Sequence, residues 1–348
     1  MVATLFSISR FMCFFLGLSL LLKQKLSNFN IGLFAFLLVI ALSTFLHSGT
    51  IIPVISITID VVTLMVFLDY GLSWNSKQTI KILANVLNAM CIIGFLTTII
   101  WPNGLWLDVE KGTKLFLLGG NYNSIGPRFL MALIINALYY EKQKSWLPVV
   151  WGMILLAYIS IWTVGSMTSL VGVSLFTLYL IVRTRWSIDK VYVWMGFLVL
   201  VTAQLVFVFM HNEANVNPLS TYFVENVLGK SSDFTFRTGI WIRSTLLFKK
   251  SFWLGYGFQN VDFYYAMIDG RTPHNYILNI LLKGGIVGLT IFSLWIYSAV
   301  SRAHRLVNQH SNLLEIGTLI IFIMLLMEVY PFLFIFILVY LLYKSPDL

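Results

Sequence analysis

Apolar runs of about 17–25 residues recur along the whole chain, each long enough to cross a hydrocarbon core of roughly 30 Å as a helix. Short polar stretches separate them. The pattern predicts eleven spans, near 4–22, 31–46, 51–72, 80–101, 125–140, 146–162, 168–182, 191–210, 276–299, 313–327 and 329–343. The last two are short, and the break at Glu328-Val-Tyr-Pro331 also reads as a kink. The expected fold is all-α, a polytopic integral membrane protein of ten to twelve transmembrane helices. It forms a single membrane-embedded domain over residues 1–348, with one long loop at 211–275. No internal repeat or low-complexity segment interrupts it.

Composition agrees with the pattern. The chain is 59% hydrophobic and 11% charged, with a mean hydropathy of +0.86, which a soluble globular protein does not sustain over this length. The first apolar run lacks a small-residue cleavage site and is followed by Lys23 and Lys25, so it reads as a span rather than a cleaved leader. The net charge of +9 is spread over short loops without a dense basic run, which argues against nucleic acid as a partner. Cys13 and Cys91 both lie in apolar runs and read as inert thiols.

Lysine and arginine set an orientation. Lys23, Lys25, Lys77, Lys81, Lys142, Lys144, Arg183, Arg185, Lys190, Arg302, Arg305 and Lys344, twelve of the 23 cations, fall in one set of loops. The opposite short loops, near 47–50 and 164–167, hold none. The cation-rich side is expected to be cytoplasmic, with the N-terminus outside and the C-terminus inside. Segments 102–124 and 211–275 then lie on the outer face. The cations of the long segment (Lys230, Arg237, Arg243, Lys249, Lys250 and Arg271) need another reason to be there. Trp101, Trp106, Trp146, Trp162, Trp241 and Trp253 sit near span ends and read as an interfacial aromatic belt.

The long loop is where chemistry is expected. Residues 233–254 predict an amphipathic helix, capped by Asp233 or by Ser231 or Ser232. At helical spacing Arg237, Trp241, Ser244 and Phe248 share one face, while Arg243 and Lys250 share another. Such a helix suits the bilayer surface, where its arginines either touch lipid head groups or hold an anion. Gly255-Tyr-Gly257 permits a tight turn after it. Thr272-Pro-His-Asn275 then leads into the span at 276–299. The positive end of the helix dipole disfavours an added charge on His274, which suits a group that accepts a hydroxyl proton. The competing reading is an N-cap made by the His274 or Asn275 side chain.

Arg128 follows Asn121-Tyr-Asn123 at the outer end of the fifth span. It either snorkels to the interface or, with Arg237 and Arg243, surrounds a phosphate or pyrophosphate, since guanidinium groups bind phosphate bidentately. Arg10, Asp60 and Lys283 are expensive if they face lipid. Asp60 is expected to pair with another helix, and Lys283 to face a cavity. Glu225, Asp233, Asp262 and Asp269 are candidates for orienting His274 or contacting a sugar. No His/Asp/Glu cluster has metal-ligand spacing.

Three segments carry a resemblance: Arg237-Thr-Gly-Ile-Trp241, Gly255-Tyr-Gly257, and His274-Asn-Tyr-Ile-Leu-Asn-Ile-Leu-Leu-Lys-Gly-Gly-Ile-Val-Gly288. Together, over roughly 230–290, they resemble the bacterial O-antigen ligase and polymerase superfamily, with Asn121-Tyr-Asn123 a weaker match. The resemblance implies a membrane-embedded glycosyltransferase fold of the C type in the bacterial plasma (inner) membrane. The implied enzyme is metal-independent and inverting, without a cofactor. It would move a glycan from undecaprenyl pyrophosphate to an acceptor sugar hydroxyl on the outer face. It also implies a polysaccharide chain-length regulator and a flippase as partners. Arg237 would hold the pyrophosphate, with Arg128 as a second arginine, and His274 would assist the acceptor hydroxyl. Arg243, Asn275, Asn123, Gly255 and Gly257 complete the expected substrate-binding set.

The leading expectation is a polymerase of a capsule, exopolysaccharide or O-antigen type polysaccharide. A ligase attaching finished glycan to a lipid or protein is the nearest alternative. A transporter of lipid-linked oligosaccharides would instead place its functional charges within the spans. A structural subunit of an envelope complex would tolerate loss of His274.

Overall fold

A computed structural model describes residues 2–21, 27–108, 113–117, 120–140, 146–184, 190–205, 208, 232–305 and 309–348. Its helices are α1 (Val2–Leu21), α2 (Asn28–Leu46), α3 (Ile51–Ile100), α4 (Ile125–Tyr140), α5 (Trp146–Val164) and α6 (Met167–Val182). They continue as α7 (Lys190–Gln204), α8 (Ser232–Lys250), α9 (Val261–Ile268), α10 (Tyr276–His304), α11 (Gln309–Leu325) and α12 (Phe332–Lys344). The eleven predicted spans fall mainly on helical backbone; residues 326–327 of the tenth and 329–331 of the eleventh are not helical, and the ends of the first and eighth lie partly outside the described residues. Helices α2, α3 and α10 are long and apolar enough to cross a membrane, and six further apolar helices are shorter. Lys23, Lys25, Lys142, Lys144, Arg185, Glu225, Lys230 and Ser231 lie outside the described residues, as do the side chains of Lys190, Trp146 and Asp233.

The 50-residue α3 is two arms that turn at Asn75, whose backbone is non-helical. The Asn75 side chain accepts the Gln78 N–H at 2.9 Å, as an N-cap does at a new helix start. A Cβ on Gly71 would press on Thr79. Residues eight apart in a straight helix are about 12 Å apart, so the arms fold back as a hairpin, in agreement with separate spans at 51–72 and 80–101.

Helix α4 is the axis of the bundle. From Phe129 to Leu138 it is buried without a break, enclosed by α3, α5, α6 and α11. The costly charges of α1 and α3 meet each other: Arg10 Nε donates to Asp60 at 2.5 Å, and its Nη2 donates to Ser56. At one end of the bundle Lys344 pairs with Asp69 at 2.7 Å, which brings the C-terminus beside the α3 turn. The opposite end carries α8, α9 and the start of α10.

One element departs from the all-α expectation. Segment 102–124 holds a small antiparallel sheet in the order β1 (Trp106–Asp108), β2 (Thr113–Phe116), β3 (Gly120–Asn121). Leu115 opposes both Trp106 and Asn121. Strands of two to four residues are too short to register as alternation in the sequence. The sheet leads into a turn at Tyr122–Ser124, in which Asn121 Oδ1 accepts the Ser124 N–H at 2.9 Å.

Candidate functional site

Helix α8 presents the face its spacing predicts. Trp241, Ser244 and Phe248 are buried, and Arg243, Lys249 and Lys250 are exposed. The buried face is taken up inside the protein. It packs with Tyr264 and Ile268 of α9 and with Leu278, Leu281 and Leu282 of α10. Trp241, at 2% exposure, is therefore a core residue, whereas Trp101, Trp106, Trp162 and Trp253 are exposed in the manner of belt residues.

The turn after α8 is built into α10. Gly285 breaks that helix with φ 61°. The turn fills the gap: Tyr256 N–H donates to Leu282 O at 2.6 Å and Gly257 N–H to Lys283 O at 3.1 Å. In return Ile286 and Val287 donate to Phe252 O and Trp253 O. Gly255 and Gly257 both have positive φ, and a Cβ on either would collide with backbone, of α10 and of Thr44 respectively. These contacts account for both glycines through docking alone, without the substrate contact expected of them.

Asn275 also has a structural explanation. Its Oδ1 accepts the Leu278 N–H at 2.9 Å and caps α10. The same oxygen takes the Gln204 amide, and Nδ2 donates to Gln204 Oε1 and Leu326 O. Both donors and both acceptor positions are used, and the side chain is fully buried. The capping role weighed for Asn275 is the one observed, so nothing is left on its amide for a substrate.

His274 therefore directly precedes the cap, near the first turn of α10. Its φ of 46° is left-handed, a conformation that costs a non-glycine residue roughly 1–2 kcal/mol. Strain of this kind persists where the surroundings fix it and is common at functional sites. The imidazole Nδ1 lies 3.3 Å from Glu328 Oε2.

Glu328 is the centre of the arrangement. Its Oε1 accepts from Arg237 Nη2 at 2.7 Å and from Asn123 Nδ2 at 2.9 Å. Arg237 Nη1 donates to the preceding carbonyl, Met327 O, at 3.0 Å. Asn123 in turn accepts from Ser166 Oγ at 3.3 Å. The carboxylate is 7% exposed, while Arg237 is 24% and His274 33% exposed. The acid is thus sealed beneath two groups that reach solvent.

For a neutral imidazole beside a carboxylate, which accepts only, the contact to Oε2 places the proton on Nδ1 and leaves Nε2 as the acceptor. Arg237 uses two of its five N–H donors in the bonds described, and the remainder are available to an anion.

Sequence reasoning found His274, Arg237 and Asn123 but not Glu328, which it treated as a helix break. Of the four carboxylates proposed to orient His274, Asp269 instead pairs with Arg243 at 2.9 Å, both side chains being largely exposed. Arg243 is thereby held by Asp269 rather than by the Glu328 cluster. Arg128 Nη1 donates to Ser124 O on its own chain segment at 3.0 Å, and its guanidinium lies 5.6 Å from the Phe334 ring centroid. Glu225 lies outside the described residues. Among the described residues no group of three His, Cys, Asp or Glu side chains is placed to hold a metal.

Fold and cluster together define a helical membrane protein with an Arg–Glu–His centre at one end of its bundle. Residues 148–293 match the family model described as O-antigen ligase, which supports the superfamily that the 230–290 motifs resemble. Members of that family are glycosyltransferase-like enzymes of polysaccharide assembly, so a lipid-linked glycan and the membrane are the implied partners. The match runs from α5 into α10 and takes in Arg237 and His274, while Asn123, Arg128 and Glu328 lie outside it. No curated protein matches the chain.

Proposed function

We propose that the protein is a polymerase of a cell-surface polysaccharide. It transfers glycan from undecaprenyl pyrophosphate to an acceptor sugar hydroxyl on the outer face of the membrane. The observation that carries this reading is the convergence of Arg237 and His274, both inside the family match, on one buried carboxylate, Glu328, which lies outside it.

In this reading His274 Nε2 takes the proton of the acceptor hydroxyl. The oxygen attacks the anomeric carbon from the side opposite the pyrophosphate, the carbon–oxygen bond to the pyrophosphate breaks, and the anomeric configuration inverts. The departing pyrophosphate carries the developed negative charge toward the free donors of Arg237. Glu328 keeps the Nδ1 proton in place and offsets the imidazolium that forms, as the carboxylate does in a Ser–His–Asp triad. Glu328 is a positioning residue, whereas His274 and Arg237 touch the reacting groups. The outer face is proposed from the loop cations, with the N-terminus outside and the C-terminus cytoplasmic. A chain-length regulator and a flippase are proposed partners.

Complementation in a strain lacking the protein tests the reading. His274→Ala and Arg237→Ala are compared with wild type at matched membrane levels, and surface glycan is resolved by size. Single repeat units identify a polymerase, and long unattached chains identify a ligase. Normal glycan from both variants removes the transferase reading.

A further inference from the structure

A second polar site lies beside the first. The segment Val329-Tyr-Pro-Phe332, directly after Glu328, forms one wall of a cavity of ≈ 360 Å³, within the roughly 300–1,000 Å³ of small-molecule sites. Lys283 and Asn279, one turn apart on α10, form another wall, and Ser124 and Asn121 a third. Phe36, Ile40 and Val54 line its apolar part.

Three polar groups of this lining have no hydrogen-bonding partner among the described residues. The Lys283 ammonium meets no carboxylate there; its described contact is the Phe258 ring, 3.9 Å from the centroid, which stabilises a cation without neutralising it. The Asn279 amide makes no hydrogen bond, although its residue is 7% exposed. The Tyr330 hydroxyl is buried and unpartnered. Buried polar groups are ordinarily satisfied, so each exception calls for an explanation. All three can donate, and together they suit an acceptor-rich anion. The apolar remainder of the wall suits hydrocarbon attached to it.

We infer that this cavity binds the phosphate of a membrane amphiphile, held by Lys283 with Asn279 and Tyr330, as a subsite separate from the Arg237–His274 cluster. The inference deepens the transferase reading by giving the enzyme a second anchor for a lipid-linked substrate. It stands on the cavity, however, and its test measures binding rather than turnover.

The test uses full-length protein in nanodiscs. Binding of a polyprenyl phosphate and of phosphatidylglycerol is titrated for wild type, Lys283→Met and His274→Ala. Loss of a charge-assisted contact should weaken polyprenyl phosphate binding about tenfold or more in Lys283→Met and leave His274→Ala unchanged. Weakening confined to the polyprenyl phosphate supports the site and identifies a lipid-linked substrate as its source. Equal weakening for both lipids supports the site and identifies bulk phospholipid. Unchanged affinity for both overturns it. Should Lys283→Met not accumulate, wild type decides the matter through amine acylation read by peptide mass spectrometry. Slower modification of Lys283 in the presence of either lipid supports the site, and modification unaffected by both overturns it. Failure of the transferase reading would show separately, as normal glycan from His274→Ala.

Discussion

Glu328 Oε2 lies 3.3 Å from His274 Nδ1, across 54 residues of sequence, while its other oxygen holds Arg237. One carboxylate thus ties the proposed base to the proposed leaving-group clamp. Removing the base should lower transfer about 10²–10⁴-fold, so His274→Ala should leave at most a trace of extended glycan at normal protein level. Glu328→Gln should act through the same step. Its one carbonyl oxygen can keep the bonds from Arg237 and Asn123, but the amide NH2 then faces His274 Nδ1–H in place of an accepting oxygen, and no charge offsets the imidazolium. In a reconstituted transfer assay kcat should fall while KM for the lipid donor holds, and Glu328→Asp should recover part of the loss. A fall in KM and kcat together with a lowered melting temperature, without recovery by Asp, would make Glu328 merely structural.

The two arginines of α8 should separate cleanly. Arg237 is bonded to a nearly buried acid, whereas Arg243 and Asp269 form an exposed pair, of a kind contributing about 0–1 kcal/mol. Arg243→Ala should therefore leave glycan length and protein level near wild type, and Arg237→Ala should abolish extension. Size-resolved glycan from the two variants checks this. A defect of equal depth in Arg243→Ala would place it back in the substrate-binding set.

What the sequence disclosed of this site depended on distance along the chain. The Arg237, Trp241, Ser244 and Phe248 face was readable because helical period alone places those residues together. His274 was readable because Pro273 and the following apolar run mark a helix start. Glu328 was not, since its partners lie 54 and 91 residues away and nothing local ties them together. The available signal was its cost: an acid between two apolar runs must find a partner. The glycines of 255–257 looked like a loop feature because their constraint is imposed by α10 and Thr44, which local sequence does not show.

That constraint yields a stability prediction. Gly255→Ala and Gly285→Ala each place a Cβ against backbone at positive φ. The left-handed conformation costs roughly 1–2 kcal/mol, and overpacking typically adds about 1–3 kcal/mol. Both variants should melt earlier in detergent and accumulate poorly. Gly239→Ala, where added Cβ meets nothing, should melt like wild type or slightly higher, since alanine favours a helix interior by up to about 1 kcal/mol. A wild-type melting curve for Gly255→Ala would show that the turn is not locked into the α10 break.

The Arg10–Asp60 pair bears on how α1 is held. Each partner offsets a charge that is expensive in an apolar helix, and breaking such a pair from one side typically costs roughly 3–5 kcal/mol, because the other charge is stranded. Replacing both with apolar residues strands neither. Arg10→Leu and Asp60→Leu should each reduce the amount of protein in the membrane, and the double variant should restore most of it. The two single losses would then not add, which a double-mutant cycle on melting temperature measures directly. Additive losses would mean that Arg10 and Asp60 stabilise the bundle independently, with Ser56, which also accepts from Arg10, as the principal partner on α3.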